Sequence, residues 1–224
     1  VMKRFYFLSF FIFCLCLSYG QEKKNSYSFF IGTHYSQNKG IYNGQVYYDC
    51  FVGENIKQNI VQSGQYLMDM GFLYERSLIS NKFGFLVGLS YSQKGFHESG
   101  EIRPWNENSW IPYTQNVKLK YYGFYMGGSY NLITRKQFKL SIGELLNPEL
   151  MDGTDYFSSG LKRFGISSRT FVTLGKTICN KSSIYLMPFF QTALGQYSYK
   201  NRISSVSRNT YSPYSTGLSI GLKF

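Results

Sequence analysis

The sequence predicts an all-β protein, an eight-stranded antiparallel up-and-down barrel that crosses a membrane with its strands. Three observations lead there. Stretches of about ten residues alternate apolar or aromatic side chains with small or polar ones, which gives a strand one face for lipid and one for a lumen. Aromatics make up 19% of the chain, with 21 Tyr and 20 Phe, against 16% charged residues. The connections between the stretches are alternately short and long, as tight periplasmic turns and ample extracellular loops would be.

The chain opens with Lys3 and Arg4, a 13-residue apolar run from Phe5 to Leu17, and Ser18-Tyr-Gly20 before Gln21. A positive start, a short apolar middle and small residues before the junction read as an export signal spanning 1–20. Residues 21–224 are then the mature barrel, at home in an outer membrane. Beyond residue 20 no run reaches the roughly 18 apolar residues that a membrane-spanning helix needs.

Eight segments follow. Ser26 to Ser36 sets Tyr27, Phe29, Ile31 and Tyr35 against Ser28, Gly32, His34 and Ser36. Gln65 to Arg76 sets Tyr66, Met68, Met70, Phe72 and Tyr74 against Asp69, Gly71 and Glu75. Phe83 to Gln93 carries Phe85, Val87, Leu89 and Tyr91 on one parity, and Val117 to Leu132 carries Tyr122, Phe124, Met126 and Tyr130. Phe138 to Leu146 is less regular, because Glu144 falls on the apolar parity; a bulge there would re-aim it. Gly165 to Ile178 sets Ile166, Val172 and Leu174 against Ser167 and Arg169. Ile184 to Tyr197 is apolar on both faces at first, and Pro188 removes a ladder donor. The last segment, Tyr211 to Phe224, places Tyr214, Leu218, Ile220, Leu222 and Phe224 on one face and Ser215, Gly217, Ser219 and Lys223 on the other. An aromatic-ended apolar face of this kind is expected to lie in lipid.

The short connections are 77–82, 134–137 and 179–183; the long ones are 37–64, 94–116, 147–164 and 198–210. A soluble sandwich has no reason to sort its loops by end. Closure also removes the sheet edges that hydrocarbon would leave unpaired. Gln45 to Val52 in the first long connection could form an additional hairpin, so ten strands is the alternative count.

The formal charge is +12, or +10 without Lys3 and Arg4. For an exported chain this points to acidic headgroups or lipopolysaccharide phosphates rather than nucleic acid. Cys50 and Cys179 are expected at opposite ends of the barrel, which argues against an intrachain disulfide. The cysteines and histidines show no metal-ligand spacing, and no cofactor motif is present.

The segment Tyr121-Tyr-Gly-Phe-Tyr-Met-Gly-Gly-Ser-Tyr130, the closing Gly217-Leu-Ser-Ile-Gly-Leu-Lys-Phe224 and the signal ending Ser-Tyr-Gly-Gln21 resemble the PorT-like outer-membrane β-barrel family. The resemblance implies insertion by the barrel-assembly machinery, which reads such a closing strand. It carries no activity onto any residue.

Three kinds of chemistry can be weighed. Asp69, Glu75, Lys94 and Arg169 fall on the inward parity, where opposite charges are expected to pair in a plug rather than line a sugar pore. His34 and Ser36 share a strand face, and His34-Tyr-Ser-Gln-Asn38 resembles the His-x-Ser of barrel-type lipid A deacylases, with Asp49 or Glu54 as orienting carboxylate. Parity points that pair into the lumen, away from acyl chains. Lys118 and Lys120 share the parity of Tyr122 near the extracellular end, at the level of lipopolysaccharide phosphates. Two loops bear recognition-type residues: Glu98, Glu101, Arg103, Trp105, Glu107 and Trp110 in one, Lys200, Arg202 and Arg208 in the other. The expected protein is a non-enzymatic barrel with a structural, adhesive or envelope-assembly role through its extracellular loops. A lipid A deacylase-like hydrolase and an accessory factor in protein secretion are the alternatives.

Overall fold

The structure, a computed structural model, describes residues 25–38, 55–78, 82–104, 108–135, 137–152, 164–179, 182–195 and 212–224. These form nine strands: β1 (Asn25–Asn38), β2 (Asn55–Ser63), β3 (Gln65–Leu78), β4 (Phe83–Pro104), β5 (Ile111–Thr134), β6 (Phe138–Met151), β7 (Phe164–Cys179), β8 (Ser182–Ala193) and β9 (Pro213–Lys223). β4 pairs with β5 as well as with β3, so the order β4-β3-β1-β9-β8-β7-β6-β5 returns on itself as a ring of eight antiparallel strands. The seam is β1 on β9, from Ser28↔Lys223 to Asn38↔Pro213. Tyr27 and Phe224 extend it by exchanging backbone hydrogen bonds of 3.0 and 2.8 Å.

β2 stands outside the ring. It continues β3 past Gly64 and pairs with the far end of β4, from Ser63↔His97 to Asn55↔Pro104. The count is therefore eight barrel strands and one extension, and the ten-strand alternative has no counterpart among the described residues. Residues 1–20, Gln45 to Val52 with Asp49 and Cys50, and Glu54, Trp105, Glu107, Lys200, Arg202 and Arg208 lie outside the described residues.

Side-chain alternation follows from the pleat. Phe29, Ile31, Phe72, Leu89, Phe124, Met126, Leu146, Leu186, Leu218, Ile220 and Leu222 all point outward and are exposed, whereas Ser28, Phe30, Asp69, Leu73, Tyr125, Leu145, Arg169 and Ser219 point inward and are buried. An exposed apolar belt that encircles a closed sheet is a surface for hydrocarbon. Aromatic pairs rim it at both levels. Tyr27 lies 5.4 Å from Tyr74 and Phe83 4.9 Å from Tyr130 near the short turns. Toward the other end, Tyr35–Tyr66 and Tyr91–Tyr122 each lie 5.3 Å apart. From Tyr27 to Tyr35 is eight residues, about 26 Å of strand and roughly 20 Å of height at the usual tilt, close to the apolar band of an outer-membrane barrel.

Glycine makes room inside. A Cβ at Gly71 would lie 2.5 Å from Phe30 Cζ, and one at Gly143 would lie 2.4 Å from Phe171 Cζ. Both glycines lie on the inward parity, and the space they leave admits a buried phenylalanine ring.

The structure departs from the sequence reading in the long connections, 37–64 holding β2 and two others holding strand ends. The connection 94–116 is mostly strand, because β4 runs on to Pro104 and β5 begins at Ile111. Likewise β6 continues through 147–151, a stretch expected to be loop. Glu144, by contrast, is not re-aimed by a bulge. The β6–β7 register is unbroken across it, and the irregularity in β5–β6 falls at Asn131/Ile133. Its carboxylate stays on the outward face and accepts a 2.7 Å hydrogen bond from Ser168 Oγ. Pro188 pairs with Leu218 within a continuous β8–β9 register.

Candidate functional site

Taken from the short-turn end, the lumen is filled in layers. The first is a polar cavity around Glu75, whose carboxylate receives Lys139 Nζ at 3.4 Å and Lys223 Nζ on its other oxygen. Above it lies an apolar layer that includes Leu73, Leu86, Leu145, Phe171, Tyr185 and Met187. Next comes Arg169, wholly buried, whose guanidinium reaches both oxygens of the equally buried Asp69 at 2.8 and 3.4 Å. Gln191 Oε1 accepts from Arg169 Nε and Nη2 at 3.0 and 2.8 Å, and Gln191 donates in turn to Ser167 Oγ. Aromatic faces complete the cage: the guanidinium carbon is 3.9 Å from the Phe189 ring centroid, 5.1 Å from Tyr125 and 5.7 Å from Phe30. A buried guanidinium thus meets carboxylate and amide oxygens in its plane and π-faces around it.

A second ion pair lies further along. Buried Lys94 donates to Glu149, and its Nζ is 5.0 Å from the Tyr121 ring. Asn147 braces this pair, donating to Glu149 Oε2 at 3.2 Å and accepting from Ser90 Oγ at 3.0 Å. Phe96, Val117, Leu119, Tyr121 and Ala193 form a further apolar cluster toward the end away from the short turns.

Of the four interior charges singled out from sequence, only Asp69 and Arg169 pair with each other. Glu75 and Lys94 find partners that the sequence reading did not name: Lys139 and Lys223 for the first, Glu149 for the second. The four charges thus fall in three ion-pair clusters, around Glu75, Asp69 and Lys94. Glu149 and Asn147 were missed because their stretch read as loop; inward parity with Leu145 was the signal that could have found them.

His34 and Ser36 both point into the lumen and are buried. His34 Nε2 sits 2.8 Å from the Gln93 carbonyl oxygen, and Ser36 Oγ accepts the Gly95 N–H at 3.2 Å. Neither presents its reactive atom to the lipid face. Lys118 and Lys120 are exposed on the outward parity of β5, just past Tyr122. Their register partners are Gly95 and Gln93 on β4.

The β4–β5 ladder does not stop at the tyrosine rim. It continues from Tyr91↔Tyr122 to Ile102↔Ile111, eleven more residues on each strand, or about 36 Å of strand length. β2 adds a third strand alongside β4. Glu98 accepts from Gln62 Nε2 at 3.4 Å, His97 Nδ1 lies 2.9 Å from Asn116 Oδ1, and the Arg103 guanidinium stands 5.2 Å from the Trp110 ring. A three-stranded projection of β2, β4 and β5 therefore continues past the rim on one side of the barrel. The closing residues lie at the seam: Leu218, Ile220, Leu222 and Phe224 face outward, and Tyr214 Oη donates to Gln37 Oε1 at 2.7 Å.

No family model matches the chain, and no curated protein matches it in sequence. Solved structures do. Neisserial surface protein A superposes with a TM-score of 0.54 at 10% identity, covering 91% of this chain and 98% of that one. The outer membrane protein OprG of Pseudomonas aeruginosa gives 0.45 at 9% identity, over 91% and 97%. Ail, the attachment invasion locus protein of Yersinia pestis, gives 0.38 at 12%, over 90% and 99%. At such identities only the fold carries over, and the first of these superpositions is the one that carries it. Fold and exterior agree: the chain is an eight-stranded antiparallel β-barrel with a lipid-facing apolar belt, of the fold seen in Neisserial surface protein A, and its described inward side chains fill most of the lumen.

Proposed function

We propose that the chain is a non-enzymatic outer-membrane barrel that recognises a partner at the cell surface, in an adhesive or envelope-assembly role, through the sheet β2–β4–β5. The observation that carries this reading is the ladder that continues eleven residues past the tyrosine rim. Backbone hydrogen bonds hold its strands together, the exposed Ile111 and Val61 lie on it, and Trp110 stands just before β5. Rigid strands that present aromatic and apolar side chains cost little ordering entropy on binding. The packed lumen argues against a diffusion pore. A hydrolytic use of His34 and Ser36 is disfavoured by their burial on the luminal side and by the engagement of Ser36 Oγ.

Lys118 and Lys120, just above the Tyr122 level, meet lipopolysaccharide phosphates at the outer-leaflet headgroups. Residues 1–20 are removed on export, and β9 is the strand that the barrel-assembly machinery engages. PorT-like membership rests on the Tyr121–Tyr130 and Gly217–Phe224 motifs.

The test replaces residues 97–116 by an Asn-Gly turn that joins Phe96 directly to Val117, which are already paired. The trimmed barrel is expected to keep the heat-sensitive gel mobility of a folded barrel. In native-membrane pull-downs it is expected to lose the partners captured by the full chain. Equal capture by both forms contradicts the proposal. In the same cells lipid A is expected to keep all its acyl chains; a loss of mass that depends on His34 would instead establish the hydrolase.

A further inference from the structure

The lumen holds a cavity of about 130 Å³ below the Phe171–Met187 layer. Its mouth is at the short-turn, periplasmic end, where the side chains of Lys139 and Lys223 remain 32% and 23% exposed. Glu75 is the only acid among the described residues that line it, and it faces both lysines. Two ammonium groups carry six N–H donors, and a single carboxylate offers two oxygens. The remaining wall is rich in hydroxyls, among them Ser28, Ser129, Thr173 and Thr177. Ser129 Oγ is buried with no hydrogen-bond partner in the structure. A half-enclosed cavity with one positive charge in excess and an unpaired donor is complementary to a small oxyanion. The volume is that of a few water molecules, enough to enclose one tetrahedral anion, and the open mouth leaves room for whatever the anion is attached to.

We propose that this vestibule binds a phosphate group, with Lys139 and Lys223 supplying charge and the Ser129 hydroxyl a donor. Glu75 is the built-in competitor: it holds the two lysines together when the anion is absent and must give up one of them when it enters. The phosphate can arrive as the free ion or on the headgroup of an inner-leaflet phospholipid, since both are present at this end of the barrel.

The experiment uses the full barrel in phosphate-free maltoside micelles, titrated calorimetrically in two arms, with inorganic phosphate and with phosphatidylglycerol. One-site binding is expected in at least one arm. Binding of phosphate identifies the free ion as a ligand, and binding of phosphatidylglycerol alone identifies the headgroup. Lys139→Met is expected to weaken binding by about tenfold or more, the loss of one charge-assisted contact. Glu75→Gln is expected to do the opposite and tighten it by a similar factor, because it releases both lysines while keeping the shape. A purely structural ion cluster would not produce that change of sign. Unaltered gel mobility of each variant establishes that it is folded. Absence of binding in both arms, or an affinity that neither substitution moves, overturns the proposal.

Discussion

Asp69→Ala is expected to cost roughly 3–5 kcal/mol of folding stability, the usual consequence of stripping a buried charge of its partner. Arg169 has no solvent to fall back on: its side chain and that of Asp69 are both 0% exposed. Gln191 would still accept two of its hydrogen bonds, and the rings of Phe189, Tyr125 and Phe30 would still face it. A neutral amide and π-faces do not neutralise a guanidinium in a low-dielectric interior. The paired change Asp69→Leu with Arg169→Met is expected to recover most of the loss, since it removes both charges and leaves an adaptable apolar side chain among the aromatics. Urea unfolding of the barrel in phospholipid vesicles measures all three proteins. A midpoint for Asp69→Ala equal to that of the parent would show that the pair does not hold this layer together.

Ile220→Lys tests the exterior. Ile220 is 46% exposed and lies on the outward face of β9, between Ile31 on β1 and Leu186 on β8. A lysine in the middle of the lipid-facing belt costs roughly 2–4 kcal/mol, falling to about 0–1 kcal/mol near the interface. Thr216 lies on the same face of β9 and pairs with Tyr35 of the upper rim, so Thr216→Lys is the control. The expected result is a large loss at Ile220 and little at Thr216, where the lysine can reach the headgroups. Equal and small effects at both positions would mean that water, not hydrocarbon, covers this face.

The parts of the fold that could be read from sequence are those where lipid imposes a pattern. Phe29-x-Ile31 in β1, Phe124-x-Met126 in β5 and Leu218-x-Ile220-x-Leu222 in β9 all alternate because one face meets hydrocarbon and the other a polar lumen. Past the tyrosine rim that contrast vanishes. Lys94-Gly-Phe-His-Glu-Ser-Gly-Glu-Ile-Arg103 is strand by virtue of cross-strand hydrogen bonds to β5, and such bonds leave no apolar period to read. The same holds for 147–151, where Pro148 interrupts the outward row and hid the inward placement of Asn147 and Glu149.

Parity gave the inward direction of the charges but not their partners. Lys94 meets Glu149 and Glu75 meets Lys139 and Lys223 because of the stagger between neighbouring strands, a property of the closed ring. The periplasmic vestibule was invisible for the same reason, since its lysines come from β6 and β9 and its glutamate from β3. Glu144 shows the opposite case. The pattern placed it on the outward row and it stays there, with Ser168 as hydrogen-bond partner instead of a bulge to turn it away.

The most direct test of the account is refolding of residues 21–224 from urea by dilution, with and without phospholipid vesicles, read by gel mobility of unheated samples and by light scattering. With vesicles the chain is expected to become a heat-sensitive, protease-resistant barrel. Without them it is expected to aggregate, because its outward phenylalanines, leucines and isoleucines then have only one another to cover them. A folded, monodisperse chain in plain buffer would contradict the account at its root.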